Sequence, residues 1–385
     1  MKIDYDQVLY ADRHELKNRE KLGKWRNLLW AIRCLFFTAF RFPAPRRVDY
    51  LFFRSLVRDD YRVLFRKIAS TVEDSKIAII DDHIIERHRI APKGIIFIFS
   101  QLPNLFKFKA DNIFERAYLY LRLCFYYRQV SALSKFDFKA LVLFADMQPV
   151  ENLASQHFKK RGKTTVTLQH GLYADYKEFP TVNIINYLHQ PSEYFLSWGK
   201  ETADLIKKYH PERNVVICGK PYSHQEAPPI AARESHHITA ILDQNIFQTQ
   251  NISMLALLSE YSKKNSLQLN VRYHPYNPKR VYEGLKLAYR TDLPLEKSKF
   301  VVGHTSSMLH EVMALGIPAF KFASDVPCVK VPDALIFGTQ QELARAVQKS
   351  HLLNFKDISK EYIAYSGEES LQRYSHFFNN LLTTR

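Results

Sequence analysis

An α/β chain of two doubly wound, Rossmann-like halves facing each other across a cleft is what this sequence predicts, and three observations lead there. Short, nearly continuous apolar or β-branched runs alternate with helix-like segments, and that alternation occurs twice along the 385 residues. The apolar share of 46%, with 14% aromatics, suffices to fill two hydrophobic cores.

In the first half, after a helical opening, the runs at 76–80, 94–100, 139–145 and 164–168 have the continuous apolar pattern of strands buried on both faces of a parallel sheet. The Leu51-Phe52-Phe53 run reads as ordinary core. Helices fill 112–133 and 149–161. The second half repeats the pattern, with strands expected at 194–197, 214–218, 237–242, 267–273, 300–303, 318–322 and 334–337. Its helices fall at 200–209, 252–264, 307–315 and 340–349. A linker is expected within 175–191, and the proline-bearing 221–233 reads as a loop. These readings divide the chain into a first domain over 1–185, a second over 186–355, and helices over 356–385 that cross back to the first domain.

The formal charge of +16 asks for an anionic partner. From Gly23 to Arg47 six basic residues, Lys24, Arg26, Arg33, Arg41, Arg46 and Arg47, occur with no acid. They interleave with Trp25, Leu28-Leu29-Trp30 and Leu35-Phe36-Phe37. Such a segment can lie in a headgroup layer with the aromatics buried and the arginines on lipid phosphates; it can equally pack on its own domain with the arginines snorkelling. No run of about 20 apolar residues and no cleavable leader is evident, so a cytoplasmic protein, peripheral on the inner face of the membrane, is expected. Cys34, Cys124, Cys218 and Cys328 stand too far apart for a zinc site or redox pair and read as structural thiols.

The strongest chemical signal is Val301-Val302-Gly303-His304-Thr305-Ser306-Ser307 running into a helix that ends at Gly316-Ile317-Pro318. A strand ending at Gly303, followed by hydroxyls and a helix start, is suited to phosphate: N–H groups and a partial positive charge, with Thr305, Ser306 and Ser307 as added donors. A simple serine cap is the plainer use of Ser306. The second signal is His274-Pro275, leaving a strand about 30 residues earlier with Lys279 and Arg280 close behind. His274 can donate to a phosphate or leaving-group oxygen at the carboxyl edge of the sheet. The third is Gln169-His170-Gly171 after the last strand of the first half, where His170 can serve as acid or base; Asp146 and Glu151 are further candidate bases. Lys220 follows a strand and can approach the same cleft, as can Asp243 and Gln244.

Together these elements resemble bacterial glycosyltransferases of the GT-B architecture that build capsules, O-antigens and related surface polymers. The His-Pro and Ser-Ser pair is similar to that of the sialyltransferases, polysialyltransferases and Kdo transferases, and of the teichoic-acid polymerases that use CDP-linked polyol phosphates. The resemblance covers about 139–322. It implies that His274, Ser306 and Ser307 contact the donor nucleotide near its phosphate, and that the donor is CMP- or CDP-linked. The acidic pair followed by glycine that supplies the sialyltransferase base is missing, since Asp81-Asp82 precedes His83 and Asp59-Asp60 precedes Tyr61.

The expected reaction is a metal-independent, inverting displacement. His170 or Asp146 deprotonates an acceptor hydroxyl, and the second half stabilises the departing nucleotide through His274, Pro275, Gly303, Thr305, Ser306, Ser307, Lys220 and Glu311. No cofactor is expected, and the Asp4-Tyr5-Asp6 triplet lies too far from any sheet strand to serve a metal. The partners are a nucleotide-sugar donor, a glycan or lipid-linked glycan acceptor and the inner membrane surface. Three alternatives stand beside this reading: a UDP-sugar transferase, a UDP-sugar 2-epimerase with Glu311 in the helix after its phosphate turn, and a basic nucleic-acid- or membrane-binding protein without catalysis. No zinc spacing, RNA-recognition signature or helix-turn-helix supports nucleic-acid binding.

Overall fold

Strict alternation places every second residue of a strand on the same face, and the central strand of the first half shows what that does here. Leu51 and Phe53 point into one core with Leu141 and Leu143. Tyr50 and Phe52 point into another with Ala140 and Val142. A sheet buried on both faces is the result. The computed structural model describes residues 2–87, 90–176, 181–221, 235–274, 277, 279–326 and 330–383.

Thirteen strands are present among them: β1 (Thr38–Phe40), β2 (Arg47–Phe53), β3 (Ile77–Ile80), β4 (Ile84–Glu86), β5 (Asp137–Leu143), β6 (Thr164–Leu168), β7 (Tyr194–Ser197), β8 (Asn214–Ile217), β9 (His237–Ile241), β10 (Gln268–Arg272), β11 (Val301–Gly303), β12 (Ala319–Phe322) and β13 (Ile336–Phe337). Six form a parallel sheet in the order β3-β2-β5-β6-β7-β8, and five form a second in the order β10-β9-β11-β12-β13. β1 and β4 make a small antiparallel pair. In each large sheet the strand order reverses once, between β2 and β5 and between β9 and β11. Ligands of open α/β sheets bind in the crevice beyond the strand ends at such a reversal.

Three expectations are corrected. The run at 94–100 is a helix, Lys93–Gln101, not a strand. A Cβ at Gly94 would lie 2.9 Å from the Leu35 carbonyl oxygen and from the Phe36 ring, so this glycine lets the helix seat directly on the neighbouring helix Lys21–Phe36. Second, the apolar run read only as core is the end of β2, the strand on which the first sheet is centred. Third, β7 and β8 pair with the first sheet, so the expected division at 185/186 moves beyond Ile217. The loop expected at 221–233 lies outside the described residues except for Pro221.

The crossing back of the C-terminal end occurs as expected. Helix Gly367–Leu381 sets Tyr374, Phe377, Phe378 and Leu381 against the first sheet, with the Phe378 ring 5.3 Å from Tyr50 and 5.5 Å from Phe52. The Tyr50 hydroxyl donates to the Phe378 carbonyl. Just before this helix, the chain packs on Gly219, whose φ is +83° and whose added Cβ would lie 2.3 Å from the Tyr365 carbonyl oxygen. Gly162 has a similar φ of +75° but open space around it. Gly162→Ala is expected to cost about 1 kcal/mol from backbone strain alone, and Gly219→Ala at least about 3 kcal/mol because a main-chain segment must also move. Urea denaturation of the two variants measures the difference. Cys34, Cys124 and Cys218 are free and buried, and burial pushes the Cys124 and Cys218 thiols up to about 12; Cys328 is not among the described residues.

Candidate functional site

At the reversal of the first sheet, β2 delivers Arg54 and Ser55 while β5 delivers Ala145 and Asp146. Glu151, from the first turn of helix Pro149–Lys159, joins the two strand ends. Its carboxylate accepts from the Ser55 amide at 2.8 Å, the Ser55 hydroxyl at 2.6 Å and the Ala145 amide at 2.6 Å. Burial pushes this carboxyl up to about 7 despite those donors. Asp146 is fully buried, accepts from the Ser192 amide at 2.9 Å, and its pKa is raised by burial. Neither carboxylate faces the cleft. Asp146 ties β5 to the entry of β7, and its candidacy as the reacting base is corrected accordingly.

Arg54 is a buried cation with donors on Asp81 and, at 3.2 Å, Asp82, while Arg66 reaches Asp81 at 3.0 Å. The Arg54 guanidinium also donates to the carbonyls of Leu56 and Arg58, and so fixes the loop that presents Arg58 and Tyr61. The Arg58 guanidinium lies over the Tyr61 ring at 3.9 Å. His170 stands against the same aromatic wall, 5.8 Å from Tyr61 and 6.0 Å from Phe144. Its Nδ1 meets the Tyr173 hydroxyl at 3.0 Å, and its Nε2 has no hydrogen-bond partner among the described residues. Burial, helped by the Arg58 charge, pushes its pKa down to about 3, so the ring is neutral at pH 7. Gln169, by contrast, is consumed by the fold: it donates to the Gly171 carbonyl and accepts from the Trp198 amide.

At the reversal of the second sheet, Asp243 follows β9 and His304-Thr305 follow β11. The Thr305 hydroxyl donates to the Asp243 carboxylate. Asn251 and Asn277 donate to the Asp243 carbonyl at 3.1 and 2.8 Å, and His304 bonds Asn251 at 2.9 Å. His274, after β10, is partly buried, which lowers its pKa. Asp243 on its own sheet and Arg58 and Asp60 of the first half all act on its charge. Arg58 therefore influences both His170 and His274, one imidazole from each side of the cleft.

The halves also meet at Lys220, whose ammonium lies 2.6 Å from Glu311 and 4.8 Å from the centre of the Trp198 ring. Ser307 donates to the other Glu311 oxygen at 3.3 Å. The helix bearing Glu311, Met308–Ala314, has only seven residues, and its opening turn closes on itself: the Leu309 amide bonds the Ser306 carbonyl, and those of His310 and Glu311 the Ser307 carbonyl. The Ser306 hydroxyl accepts from the Met308 amide at 3.3 Å. The free N–H groups expected there are thus largely engaged, and the anion-attracting groups are the side chains around them. Gly303 is the buried last residue of β11. Pro275 lies outside the described residues.

Sequence reading missed Arg54, Arg58 and Tyr61 because β2 went unrecognised; the signal was an arginine directly after an apolar run. The Asp4-Tyr5-Asp6 triplet has local duties: Asp4 caps helix Tyr5–Val8 and Asp6 pairs with Arg13 at 2.7 Å.

No protein-family model and no curated protein sequence matches the chain. Solved structures do match in fold. The S. aureus MnaA–UDP complex superposes with a TM-score of 0.55 at 14% identity, over 88% of this chain and 98% of that one. UDP-GlcNAc 2-epimerase from Neisseria meningitidis bound to UDP-GlcNAc gives 0.53 at 13%, over 88% and 100%. Sucrose-phosphate synthase from Thermosynechococcus elongatus gives 0.50 at 10%, over 88% and 100%. The chain has the GT-B fold, two Rossmann-like domains with parallel sheets.

Proposed function

We propose that this chain is a nucleotide-sugar enzyme that takes a UDP-linked donor and transfers its sugar to an acceptor hydroxyl. The observation that carries the reading is the grouping of polar side chains between the halves: His170 and Arg58 at the first sheet's reversal, His274, Asp243 and Ser306 at the second's, and the Lys220–Glu311 pair where the halves meet. In the step envisaged, the acceptor oxygen forms a bond to the anomeric carbon as that carbon's bond to the β-phosphate oxygen breaks. His170 takes the acceptor proton on Nε2, the tautomer in which Nδ1–H donates to the Tyr173 hydroxyl. The electron pair departs on the diphosphate, where Lys220, Arg58, His274 and the Ser306 hydroxyl offset the charge; preorganised groups of this kind often contribute more than proton transfer does. Inversion at the anomeric carbon follows from the single displacement.

UDP is preferred over the cytidine nucleotides implied by the sequence resemblance because UDP is the nucleotide of the S. aureus complex and UDP-GlcNAc that of the N. meningitidis one. Transfer is preferred over 2-epimerisation because Glu151, Asp146 and Asp81 are turned inward onto backbone amides and Arg54, which leaves no first-half carboxylate of these three to work on a sugar ring. Thermal stabilisation by UDP, CMP, CDP and GDP tests the donor, since a ligand bound only by the native state raises apparent stability. UDP is expected to give the largest shift, and a shift with CMP or CDP alone would overturn the nucleotide. Proton NMR of UDP-GlcNAc incubated with the protein tests the chemistry. Slow release of UDP to water, lost in His170→Ala, is expected; inversion at C2 with no UDP released would establish the epimerase instead.

A further inference from the structure

Twelve of the sixteen large hydrophobic side chains exposed among the described residues belong to two stretches of the first half, 22–30 and 84–113. Their concentration there is not a property of the surface in general. Helix Lys21–Phe36 turns Leu22, Trp25, Leu29 and Trp30 outward, and helix Lys93–Gln101 turns out Ile96 and Phe99, the last two 63% and 66% exposed. The patch is continuous. The two helices meet where Gly94 faces Phe36, and at the other end Trp25 stacks edge-on against Phe114 at 4.9 Å, beside the outward Ile113. Phe106, under the Arg116 guanidinium, extends it further.

The charge around these side chains is mostly positive, and the two acids within 84–113, Glu86 and Asp111, are each bound to a base, Arg33 and Lys17. Exposed Lys21, Arg26, Arg33, Arg87, Lys93 and Lys107 border the patch, and no acidic residue occurs from 21 to 48 or from 87 to 110. Arg33 is offset by Glu86 at 2.8 Å, and the others are not paired with any acid of their own helices. A second copy of this chain would bring two such faces together, against their like charge. An anionic lipid surface meets both requirements at once, with headgroup phosphates for the basic rim and the acyl boundary for the apolar centre. Among the described residues no helix is long and apolar enough to cross a membrane. Helix Lys21–Phe36, at about 1.5 Å per residue, is the right shape to lie along one.

We infer that the outward faces of helices Lys21–Phe36 and Lys93–Gln101 form a docking surface for an anionic bilayer, which holds the first half against the membrane. The inference is independent of the donor reading. In contrast to the sequence expectation, Phe36 and Phe37 are not the inserting residues, since they are partly buried, and the second helix replaces them.

Vesicle co-sedimentation of the full chain tests it, with phosphatidylcholine alone and phosphatidylcholine containing phosphatidylglycerol. Binding is expected to the mixed vesicles only, with a blue shift of tryptophan emission from Trp25 and Trp30, Trp198 being already interior. The double variants Leu29→Asp/Phe99→Asp and Arg26→Glu/Lys93→Glu are each expected to weaken binding about tenfold or more. Unchanged circular dichroism and an unchanged urea midpoint show that they remain folded. Three results overturn the proposal: wild-type protein that stays in solution with the mixed vesicles, vesicle binding that neither double variant alters, or a dimer in light scattering that Leu29→Asp/Phe99→Asp dissolves without any vesicle binding. Failure here leaves the UDP shift intact, and loss of the UDP shift leaves vesicle binding intact.

Discussion

Lys220→Met is expected to weaken UDP binding about 10- to 100-fold and, separately, to lower the stability of the ligand-free protein by about 1–3 kcal/mol. The first effect is the loss of a charge-assisted contact to the diphosphate. The second arises because Glu311, 2.6 Å away and with a side chain only 15% exposed, is left without its cation. The two are separable. Adding Glu311→Gln to Lys220→Met removes the stranded carboxylate and is expected to restore most of the stability while leaving UDP binding weak. Calorimetric titration with UDP and urea denaturation of the two single variants and the double variant measure both, and the coupling between the pair is read directly from that cycle. Recovery of UDP binding in the double variant would mean that Lys220 acts only by neutralising Glu311.

Acid is expected to destabilise the protein well before ordinary carboxylates protonate. Burial holds His157, His189 and His310 at about 4 and His170 at about 3 in the folded chain, against about 6.5 when unfolded. A group whose folded pKa is depressed contributes stability that is present above the unfolded pKa and is lost as pH falls through the folded one, because the unfolded chain binds the proton first. The window is therefore about pH 6.5 down to pH 3. For His310, fully buried with Nε2–H donating to the Lys330 carbonyl and its ring 4.0 Å from Tyr362, the loss at pH 5 is about 2 kcal/mol. Glu151 works the other way. Its raised value means that it favours the folded state at low pH and ceases to do so as pH rises from about 4.5 through about 7; Asp146, also raised by burial, acts in the same direction, but these are two carboxyls against four imidazoles. Urea midpoints at about pH 7.5, 6 and 5 should fall steeply, and His310→Phe should flatten the slope by nearly one proton. A midpoint constant down to pH 5 would show that these imidazoles protonate freely in the folded chain.

The low basicity of His170 also bears on the reaction. An imidazole at about 3 is a poor proton acceptor at pH 7, since efficiency is greatest when the pKa lies near the working pH. A donor's negative charge arriving beside Arg58 would offset the lesser of the two causes of that depression; burial is the greater.

Most of the second sheet was legible because each of its strands is a short apolar or β-branched run and each is followed within two residues by something polar, Asp243, His274 or His304-Thr305 among them. The same apolar or β-branched runs marked β3, β5, β6, β7 and β8 of the first sheet. What was not legible has a common physical origin. Strand β2 carries Arg47, Asp49 and Tyr50 among its apolar residues, so only its end, Leu51-Phe52-Phe53, stands out, as core with no strand pattern around it. The 94–100 run satisfies a strand's composition, yet only one side of it is covered, and no rule of composition tells an uncovered apolar helix from a buried strand. The boundary was misplaced because β7 and β8 look like any parallel strands, and which sheet receives them is decided by pairing with β6, not by their own residues. At the site, the aspartate and the threonine that meet across the second reversal are 62 positions apart, and Glu151 looked like a base because sequence does not reveal that two strand ends close on it.

The return of helix Gly367–Leu381 to the first sheet sets the timetable of synthesis. Tyr50 and Phe52 leave the ribosome more than 300 residues before Phe378, the residue that covers them. Throughout that interval one face of the earliest sheet, holding Phe65, Val142 and Val166 as well, lacks its final layer. A nascent chain stalled short of residue 370 therefore presents an apolar surface that the finished protein never shows, and it is at this stage that a holding chaperone has something to grip.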